Sequence, residues 1–267
     1  MPLSYKPTQN KVGLKRAIRR SINGLGRRCR CCICGRTFYK FSEYRGGWNA
    51  VSSYLKELEW TGSDFDRFWC PFCRSHDRER HLKLYFDALD FWLRFKSASV
   101  LHIAPEKHIS RAVEGCNPER YVKGDLEPVR NDIRKMDVTD INESDSSFDI
   151  AICNHVLEHV PDDRKALCEL FRVLKPGGIA ILQTPYALKL TETREQDPSV
   201  VTGTQRLEFY GQEDHIRLYG LDLPERIREA GFDLTLKTHT QLLPDIDCVA
   251  FGVNQAEPLF YAQKPVV

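Results

Sequence analysis

The sequence predicts an α/β fold with a doubly wound sheet, and residues 147–185 are the main reason. An apolar run from Phe148 to Cys153 has the length of a buried strand, and the segment from Pro161 to Leu174 places its apolar residues on one face of a helix. Lys-Pro-Gly-Gly at 175–178 ends that helix, and a second apolar run begins at Ile179. This strand–helix–strand unit is typical of open parallel sheets, which bind ligands at the carboxyl ends of their strands.

The composition is that of a globular protein with one catalytic domain and a small additional module. The chain has 267 residues, of which 42% are hydrophobic, so it can bury a large core. No apolar stretch approaches the roughly 20 residues of a membrane-spanning helix, and no secretory signal is visible. We therefore expect a cytoplasmic protein.

The amino-terminal end is strongly basic, although the whole chain has a formal net charge of only +2. Residues 1–42 contain eleven Lys and Arg and no Asp or Glu. Within residues 1–28, apolar residues such as Ile18 and Ile22 alternate with basic ones, which is the pattern of a basic amphipathic helix. Such a helix could lie on an anionic membrane surface, contact nucleic acid or remain a solvated tail, and a mitochondrial presequence has a similar composition. A membrane contact would place the protein at the inner face of the membrane.

Six of the ten cysteines lie within residues 29–73 and predict a metal site. Two Cys-x-x-Cys pairs, each able to present two thiolates to one tetrahedral ion, are a strong signal for structural zinc. The predicted ligands are Cys31, Cys34, Cys70 and Cys73, with Cys29, Cys32, His76 and His81 as substitutes. Four protein ligands leave no open position for chemistry, so the predicted role of the metal is to fold the module. The remaining cysteines have apolar neighbours and are predicted to be small buried side chains; they are Cys116, Cys153, Cys168 and Cys248.

The other elements follow from apolar spacing and turn residues. A helix over 77–95 is predicted to join the cysteine module to the sheet, because Leu82, Phe86, Leu89 and Leu93 repeat at helical spacing. Strands are predicted at 98–103, before Asp125 and at 232–237, with a short helix at 224–230. The last strand is predicted at 258–264, with 248–253 as the alternative, and the polar stretch 191–205 resembles a substrate lid.

Residues 147–185 resemble the second half of a class I S-adenosylmethionine-dependent methyltransferase of type 11. The shared signature is Phe-Asp at 148–149, Leu-Glu-His at 157–159 and Leu-Lys-Pro-Gly-Gly at 174–178. The resemblance implies a Rossmann-like sheet of seven strands, methyltransferase activity and S-adenosylmethionine as cofactor. It implies little about the substrate.

The resemblance also implies which residues bind the cofactor. They lie at the ends of successive strands, and they are Ile103, Ala104, Pro105, Glu106, Asp125, Leu126, Asp137, Val138 and Asn154. Asp125 has the position of the carboxylate that binds the ribose hydroxyls, since two acceptor oxygens suit a vicinal diol, and Asp137 that of the acceptor for the adenine amino group. The first loop departs from the family, because His102 stands where the family has an acid and the loop has no glycine. Glu106 could face the amino group of the cofactor.

Four features are similar to a bacterial subgroup of these methyltransferases. They are the zinc-knuckle amino terminus, His-Ile-Ala-Pro-Glu at 102–106, Asn-His-Val-Leu-Glu-His at 154–159 and Gly-Gln-Glu-Asp-His-x-Arg-x-Tyr-Gly at 211–220. The resemblance to this subgroup implies an enzyme that modifies sugars or polysaccharides.

Methyl transfer is an in-line displacement in which positioning does most of the work, and a hydroxyl acceptor also needs a base to remove its proton. The candidate catalytic residues are His155, Asp214 and His215. For each histidine the alternative is a packing role. Glu158 and His159 recur in relatives with unrelated substrates, so we interpret them as architectural.

The sequence therefore predicts three parts: a basic amphipathic segment at 1–28, a zinc-knuckle module with its connecting helix at 29–96, and a methyltransferase domain at 97–267. The expected reaction is methyl transfer from S-adenosylmethionine to an oxygen or nitrogen of a sugar, glycan or sugar-linked metabolite. An RNA methyltransferase is the first alternative, because zinc knuckles with basic flanks also grip phosphate backbones. A non-catalytic binding module is the second, because of the missing glycines.

Overall fold

The structure is a computed structural model that describes residues 28–266. The basic helix predicted within residues 1–28 therefore lies outside the described residues, except for Arg28. Among the described residues, no helix combines the length and the apolar character needed to cross a membrane.

The described chain contains thirteen strands and nine α-helices in mixed order. In chain order the strands are β1 (Cys29–Arg30), β2 (Thr37–Phe38), β3 (Trp60–Thr61), β4 (Ser99–Ile103), β5 (Arg120–Asp125), β6 (Arg134–Lys135), β7 (Phe148–Cys153), β8 (Leu174–Ile181), β9 (Tyr186–Ala187), β10 (Arg194–Glu195), β11 (Arg217–Leu218), β12 (Asp233–Lys237) and β13 (Leu259–Gln263). The α-helices are α1 (Ser53–Glu57), α2 (Asp77–Ala88), α3 (Trp92–Phe95), α4 (Lys107–Gly115), α5 (Asp163–Val173), α6 (Gly203–Tyr210), α7 (Leu223–Glu229), α8 (His239–Leu242) and α9 (Cys248–Phe251). Short 3₁₀ helices lie at Trp48–Ala50, Phe65–Arg67 and Leu157–His159.

Seven strands form one central sheet in the order β12-β13-β8-β7-β4-β5-β6. The strands β4 to β8 pair in parallel, whereas β13 runs antiparallel to both of its neighbours. The strand order reverses at β4, because the chain first builds outward to β6 and then returns to place β7 on the other side of β4. Such a reversal opens a crevice at the carboxyl ends of the strands. The predicted doubly wound sheet of seven strands is confirmed.

Helices cover both faces of this sheet. Successive residues of a strand point to opposite faces, so Leu101 packs into one core with Leu167 of α5, and Val100 into the other core with Phe86 of α2. Strand β4 is buried along its whole length. The apolar runs in the sequence are therefore the two-sided interior strands that an α/β fold requires.

The last strand is β13, which confirms the prediction at 258–264. The alternative strand at 248–253 is wrong, because this segment contains the short helix α9. The side chain of Asp247 accepts hydrogen bonds from the main-chain N–H groups of Val249 and Ala250, and Gly252 ends the helix with φ 62°. These local caps favour a helical turn over a strand.

The single helix predicted at 77–95 is also wrong. Helix α2 ends at Ala88, the chain turns at Asp90 with φ 49°, and α3 follows. The turn changes the helical register, so Phe91 and Phe95 enter the core whereas Leu93 is 74% exposed. The apolar residues keep helical spacing on both sides of Asp90, so their spacing did not predict the break in the helix.

The cysteine module is joined to the sheet domain by backbone and side-chain contacts. Strand β3 pairs with β9, which follows the central strand β8. The guanidinium of Arg80 is fully buried and donates hydrogen bonds to five main-chain carbonyl oxygens, those of Arg67, Phe68, Ser75, Phe251 and Gly252. These bonds connect the segment before α2 to the end of α9, so the two parts share an interior.

The four scattered cysteines differ in exposure. Cys153 is buried on β7, and Cys116 and Cys248 are half-buried. Cys168 is exposed, so the prediction that it is buried is wrong. The helix α5 turns Leu167 and Leu170 toward the core, which leaves Cys168 on the other face.

Candidate functional site

The loop after β4 forms the floor of the crevice. Ala104 has φ 47°, a left-handed conformation that normally favours glycine, so the loop makes its turn without one. The fully buried ring of His102 places Nε2 2.8 Å from Oε2 of Glu106 and Nδ1 2.8 Å from the hydroxyl oxygen of Tyr121. Because a carboxylate only accepts, Nε2–H donates to Glu106. His102 thus fixes the orientation of Glu106.

Asn154 holds the other oxygen of Glu106. Its Nδ2 donates to Oε1 of Glu106 at 3.1 Å, and its Oδ1 accepts from the main-chain N–H of Gln183 at 3.4 Å. Burial alone would raise the pKa of Glu106, but the hydrogen bonds and charge of His102, together with the bond from Asn154, outweigh it and lower the pKa. Glu106 is therefore an ionised carboxylate in the loop after β4. Ile103 and Pro105 lie in the same segment.

Two further carboxylates stand at the neighbouring strand end. Oδ1 of Asp125, at the end of β5, accepts from the main-chain N–H of Glu127 at 2.9 Å. Oδ1 of Asp137 accepts from the main-chain N–H and the hydroxyl of Thr139, both at 2.8 Å. Within the described residues, Oδ2 of each has no hydrogen-bond partner. Each carboxylate is thus oriented by its own turn and keeps one oxygen available for a ligand.

Apolar residues flank these acids in different ways. Leu126 is 59% exposed beside Asp125, whereas Val138 is buried beside Asp137. Because β5 and β6 are adjacent in the sheet, these residues share one edge of the crevice. An exposed leucine beside a carboxylate suits a ligand with a flat apolar ring and polar substituents.

His155 is held between two buried carboxylates. It has φ 52°, its Nδ1 lies 3.4 Å from Oε1 of Glu158, and its Nε2 lies 3.4 Å from Oε1 of Glu257. Burial and the charge of Arg78 lower the pKa of His155, but the two adjacent carboxylates, Glu158 and Glu257, outweigh them, and the pKa is raised. The protonated ring is therefore favoured, which suits charge stabilisation better than proton abstraction.

His215 lies nearby in the opposite electrostatic state. Its Nδ1 is 2.8 Å from the carbonyl oxygen of Tyr210, so Nδ1–H donates there. Burial, opposed by the charge of Glu158, lowers the pKa of His215 to about 4, and the ring is neutral. Its Nε2 is buried 3.9 Å from Oε1 of Glu158. Asp214, by contrast, has a side chain that is 71% exposed and lies 3.4 Å from Nδ1 of His159.

The four predicted cysteine ligands come together in one cluster. The sulfur atoms of Cys31, Cys34, Cys70 and Cys73 all lie within 4.8 Å of one another. Sγ of Cys31 lies 3.7 Å from that of Cys73, and Sγ of Cys34 lies 3.9 Å from that of Cys70. Thiolates at the usual zinc–sulfur distance of about 2.3 Å stand about 3.8 Å apart in a tetrahedron, so the cluster fits a tetrahedral metal.

The substitute ligands lie elsewhere. Sγ of Cys29 points to the carbonyl oxygens of Tyr39 and Val249, and Sγ of Cys32 to that of Arg80. The imidazole of His76 stacks on the ring of Phe68. Another substitute, His81, has its Nε2 2.9 Å from Nδ1 of His239. A second group, Glu158, His159 and His215, also brings one ligand atom each within 4.8 Å, next to His155.

Comparison with known proteins agrees with this geometry. Residues 91–182 match the model of a methyltransferase domain family, and they contain β4 to β7, the first loop and Asn154. Residues 91–182 therefore form a methyltransferase domain of this family. It is 30% identical over 105 residues to a protein of Mycolicibacterium smegmatis named as a probable S-adenosylmethionine-dependent methyltransferase. That match covers 39% of this chain, and the chain spans only 36% of the length of that relative.

Solved structures of methyltransferases are also among the matches. An S-adenosylmethionine-dependent methyltransferase from Mesorhizobium loti has a TM-score of 0.47 and 14% identity, covering 68% of this chain and 98% of its own. The YcgJ protein of Bacillus subtilis has a TM-score of 0.43 and 16% identity, covering 68% of this chain and 94% of its own.

The cysteine cluster packs directly on the first loop of the methyltransferase domain. The main-chain N–H of His108, in the first turn of α4, donates to Oε1 of Glu79 on α2 at 2.9 Å. Nε2 of the same His108 lies 3.1 Å from the carbonyl oxygen of Cys73. The start of α2 and Cys73 therefore hold the helix that follows the loop after β4.

Two residues at this site were not anticipated from the sequence. Glu257 comes from the segment before β13 and reaches His155 across the crevice. Arg78 comes from α2 and lines the same small cavity as Glu106, Asn154 and His155. Each is a single charged residue in a segment without a recognisable motif, so the sequence contained no signal for it. The fold brings Glu257 to the site from the segment before β13 and Arg78 from α2.

Proposed function

We propose that this protein transfers a methyl group from S-adenosylmethionine to an oxygen or nitrogen of a sugar, glycan or sugar-linked metabolite. The main support for S-adenosylmethionine as the cofactor is the set of carboxylates at the carboxyl edge of the sheet. Asp125 and Asp137 each keep a free oxygen there, and Glu106 is ionised beside the first loop. This set of hydrogen-bond acceptors fits a ligand with a ribose diol, an amino-substituted base and an ammonium group.

Each of these residues would bind a different part of the cofactor. Asp125 would bind the ribose hydroxyls, Leu126 would contact the adenine ring, and Asp137 would accept from its amino group. When bound, S-adenosylmethionine supplies an electrophilic methyl group on a sulfonium. The residues of this chain have to orient the acceptor in line with that methyl group and to remove a proton if the acceptor is a hydroxyl.

Among the three candidate catalytic residues, Asp214 and His215 suit a base better than His155. The raised pKa of His155 favours its protonated form, whereas the lowered pKa of His215 favours a neutral imidazole. Nε2 of His215 is buried, so acceptor contact there would need the segment around it to move. Asp214 is already exposed and needs no such movement.

The proposed place of the acceptor is between the cysteine module and α6. A groove of about 290 Å³ is lined there by Tyr44, Trp60 and Phe65 on one side and by Leu207 and Gly211 on the other. Gly211 has φ 95°, and a Cβ at this position would lie 2.8 Å from the ring of Trp60. The glycine therefore permits the close approach of α6 to the aromatic wall. The sugar class itself is supported by the motif resemblance alone.

We also propose that the cysteine cluster binds one structural zinc ion. The sulfur–sulfur distances support a tetrahedral metal, and four thiolates select a soft ion such as zinc. Elemental analysis of protein purified without chelators should find one zinc per chain. Cys70→Ser should lose it, and Cys168→Ser, which changes an exposed cysteine outside the cluster, should keep it. A parent protein without metal would contradict the proposal.

Calorimetry with S-adenosylmethionine is the first test of the proposed function, followed by a screen with a labelled methyl group. Sugar nucleotides, oligosaccharides and RNA would be offered in parallel. Label in the sugars supports the proposal, and label in RNA alone would overturn the acceptor class. A protein without affinity for the cofactor would instead be a non-catalytic binding module.

We propose that residues 1–28 contact anionic lipid, because this segment has helical apolar spacing and many basic residues. A protein lacking residues 1–28 should lose binding to anionic vesicles and keep its methylation of a small acceptor. Salt-sensitive RNA binding that disappears on truncation, without vesicle binding in the parent, would contradict this assignment.

A further inference from the structure

Two residues of the 3₁₀ helix after β7 meet a histidine from the segment before β11. They are Glu158 and His159, and the histidine is His215. One nitrogen or oxygen atom of each side chain lies within 4.8 Å of the other two. The main-chain N–H of Ile216 donates to the carbonyl oxygen of Glu158 at 3.0 Å and holds the two segments together. Two imidazoles and a carboxylate are ligands that divalent transition metals prefer.

Glu158 and His215 each keep one buried atom without a partner. The hydroxyl of Thr184 donates to Oε2 of Glu158 at 2.8 Å, whereas Oε1 accepts no hydrogen bond from the described residues. His215 donates Nδ1–H to the carbonyl oxygen of Tyr210, so its Nε2 carries a lone pair, and this nitrogen has no partner in the described chain either. Both side chains are 1% exposed. Such buried atoms cost free energy unless a ligand satisfies them.

The two unpartnered atoms face each other and cannot satisfy each other. Nε2 of His215 lies 3.9 Å from Oε1 of Glu158. Both atoms present lone pairs, and the distance exceeds that of a hydrogen bond even for a protonated ring. A cation between them would accept both lone pairs. The pair therefore points to a positively charged ligand.

His159 connects this pair to the solvent. Its Nδ1 lies 3.3 Å from the carbonyl oxygen of Asp214 and 3.4 Å from Oδ2 of the same residue. An N–H donated from Nδ1 to these oxygens leaves Nε2 for an ion. The side chain of His159 is 32% exposed, and its ring centroid lies 4.7 Å from that of His215. An ion can therefore enter the cluster past His159.

We infer that Glu158, His159 and His215 bind one divalent transition-metal ion such as zinc or cobalt. A metal-binding imidazole usually donates its other N–H to a carbonyl or carboxylate oxygen, and a metal-binding carboxylate is itself hydrogen-bonded. Glu158 and His215 already have these partners. At metal–ligand distances of about 2.0–2.1 Å, the ligand atoms of a tetrahedron stand about 3.3 Å apart. Closure of the gap between His215 and Glu158 by roughly half an ångström reaches this separation.

The ion would have a role that the cysteine cluster cannot have. Three protein ligands leave at least one coordination position open for water or a substrate oxygen, whereas four thiolates leave none. The ion would use Oε1 of Glu158, which His155 approaches to 3.4 Å, and Glu257 would remain as the carboxylate beside His155. It would also use the lone pair of His215, so Asp214 would remain as the candidate base. The inference goes beyond the proposed function and does not depend on it.

Cobalt titration of protein whose cysteine cluster is filled with zinc tests the inference. Cobalt bound by imidazole and carboxylate gives weak visible bands, whereas cobalt bound by thiolates adds a strong charge-transfer band in the near ultraviolet. The parent should bind one cobalt ion per chain with the visible bands alone. His159→Gln should weaken this binding roughly 100-fold or more, because loss of a hydrogen-bond partner of a ligand alone costs about 10- to 100-fold.

His76→Gln is the matched control, because the side chain of His76 is 29% exposed and stacks on Phe68 outside the cluster. It should bind cobalt like the parent. His215→Gln should lose the visible bands as His159→Gln does, and thermal melts establish that each variant is folded. If His215→Gln does not fold, the half-exposed His159 decides the test. A parent that takes up no cobalt outside the cysteine cluster would overturn the inference, and so would unchanged cobalt binding in folded His159→Gln. Neither result would affect the proposed methyl transfer, which is measured by cofactor binding and labelled product.

Discussion

Nε2 of His108 lies 3.1 Å from the carbonyl oxygen of Cys73 and connects α4, the helix after the β4 loop, to the cysteine cluster. The main-chain N–H of the same residue donates to Glu79 on α2. Helix α4, which follows the loop, is therefore anchored to a turn that the metal would hold in shape. Metal occupancy and cofactor affinity should be linked.

Metal removal should weaken cofactor binding even though the metal has no open coordination position. Loss of the ion would loosen the turn at Cys70 and Cys73 and with it the anchor of α4. We expect the affinity for S-adenosylhomocysteine to fall at least several-fold after chelation and to return with added zinc. Calorimetry before and after chelation measures this. Cys70→Ser should behave like the chelated protein and Cys168→Ser like the parent. Equal affinities with and without metal would show that the two sites are independent.

Asp125→Ala should weaken S-adenosylmethionine binding by roughly 1.5–3 kcal/mol, the range for a lost hydrogen bond to a charged group. The free Oδ2 of Asp125 is the acceptor that the ribose hydroxyls would use. Calorimetry on the variant measures the change. Asp233→Ala, at the far edge of the sheet on β12, is the control and should bind like the parent. If Asp125→Ala keeps the parent affinity, the ribose assignment is wrong.

His155→Ala should destabilise the fold by roughly 3–5 kcal/mol, because it leaves the buried Glu158 and Glu257 without their shared partner. The pKa of His155 is raised in the folded state, so its contribution is complete below its ordinary pKa and is lost as pH rises through the raised value. The difference from the parent should therefore be larger at about pH 6 than at about pH 9. Denaturant unfolding at both pH values tests this, with His159→Ala as a half-exposed control. A difference independent of pH would argue against the ionised cluster.

Asp77→Asn should stabilise the protein at alkaline pH. Burial is the main reason that the pKa of Asp77 rises from 3.8 to about 7 in the folded state, opposed by the charges of Arg80 and Arg78. For a raised folded pKa, the stability contribution is complete below the unfolded value and is lost as pH rises through about 7. At about pH 8 the asparagine variant should be more stable by roughly 1–4 kcal/mol, and near pH 4 it should match the parent. Thermal or denaturant unfolding measures both, with Asp233→Asn as the exposed control. A gain of equal size at both pH values would contradict ionisation of Asp77.

The sequence by itself determined the sheet and the cysteine cluster. Apolar runs of strand length and the Lys-Pro-Gly-Gly turn predicted the central strand–helix–strand unit, because burial on both faces of a strand requires continuous apolar residues. The Cys-x-x-Cys spacing predicted which sulfur atoms come together, because a two-residue separation lets both thiolates of a pair reach one point. Asp125, Asp137 and Asn154 were also found at strand ends, where the chain order alone places them on one edge.

Only the tertiary structure showed which residues from distant segments of the sequence contact one another. The sequence did not predict the helix break at Asp90, because the apolar spacing continues on both sides of it. The raised pKa of His155 depends on Glu257, which lies far away in the sequence and becomes its neighbour only because β13 pairs with β8 and β8 with β7. Local patterns record which face of an element is buried, but the pKa of a side chain and the partner of a buried charge are set by the residues packed around it. Those residues are chosen by the topology of the whole sheet.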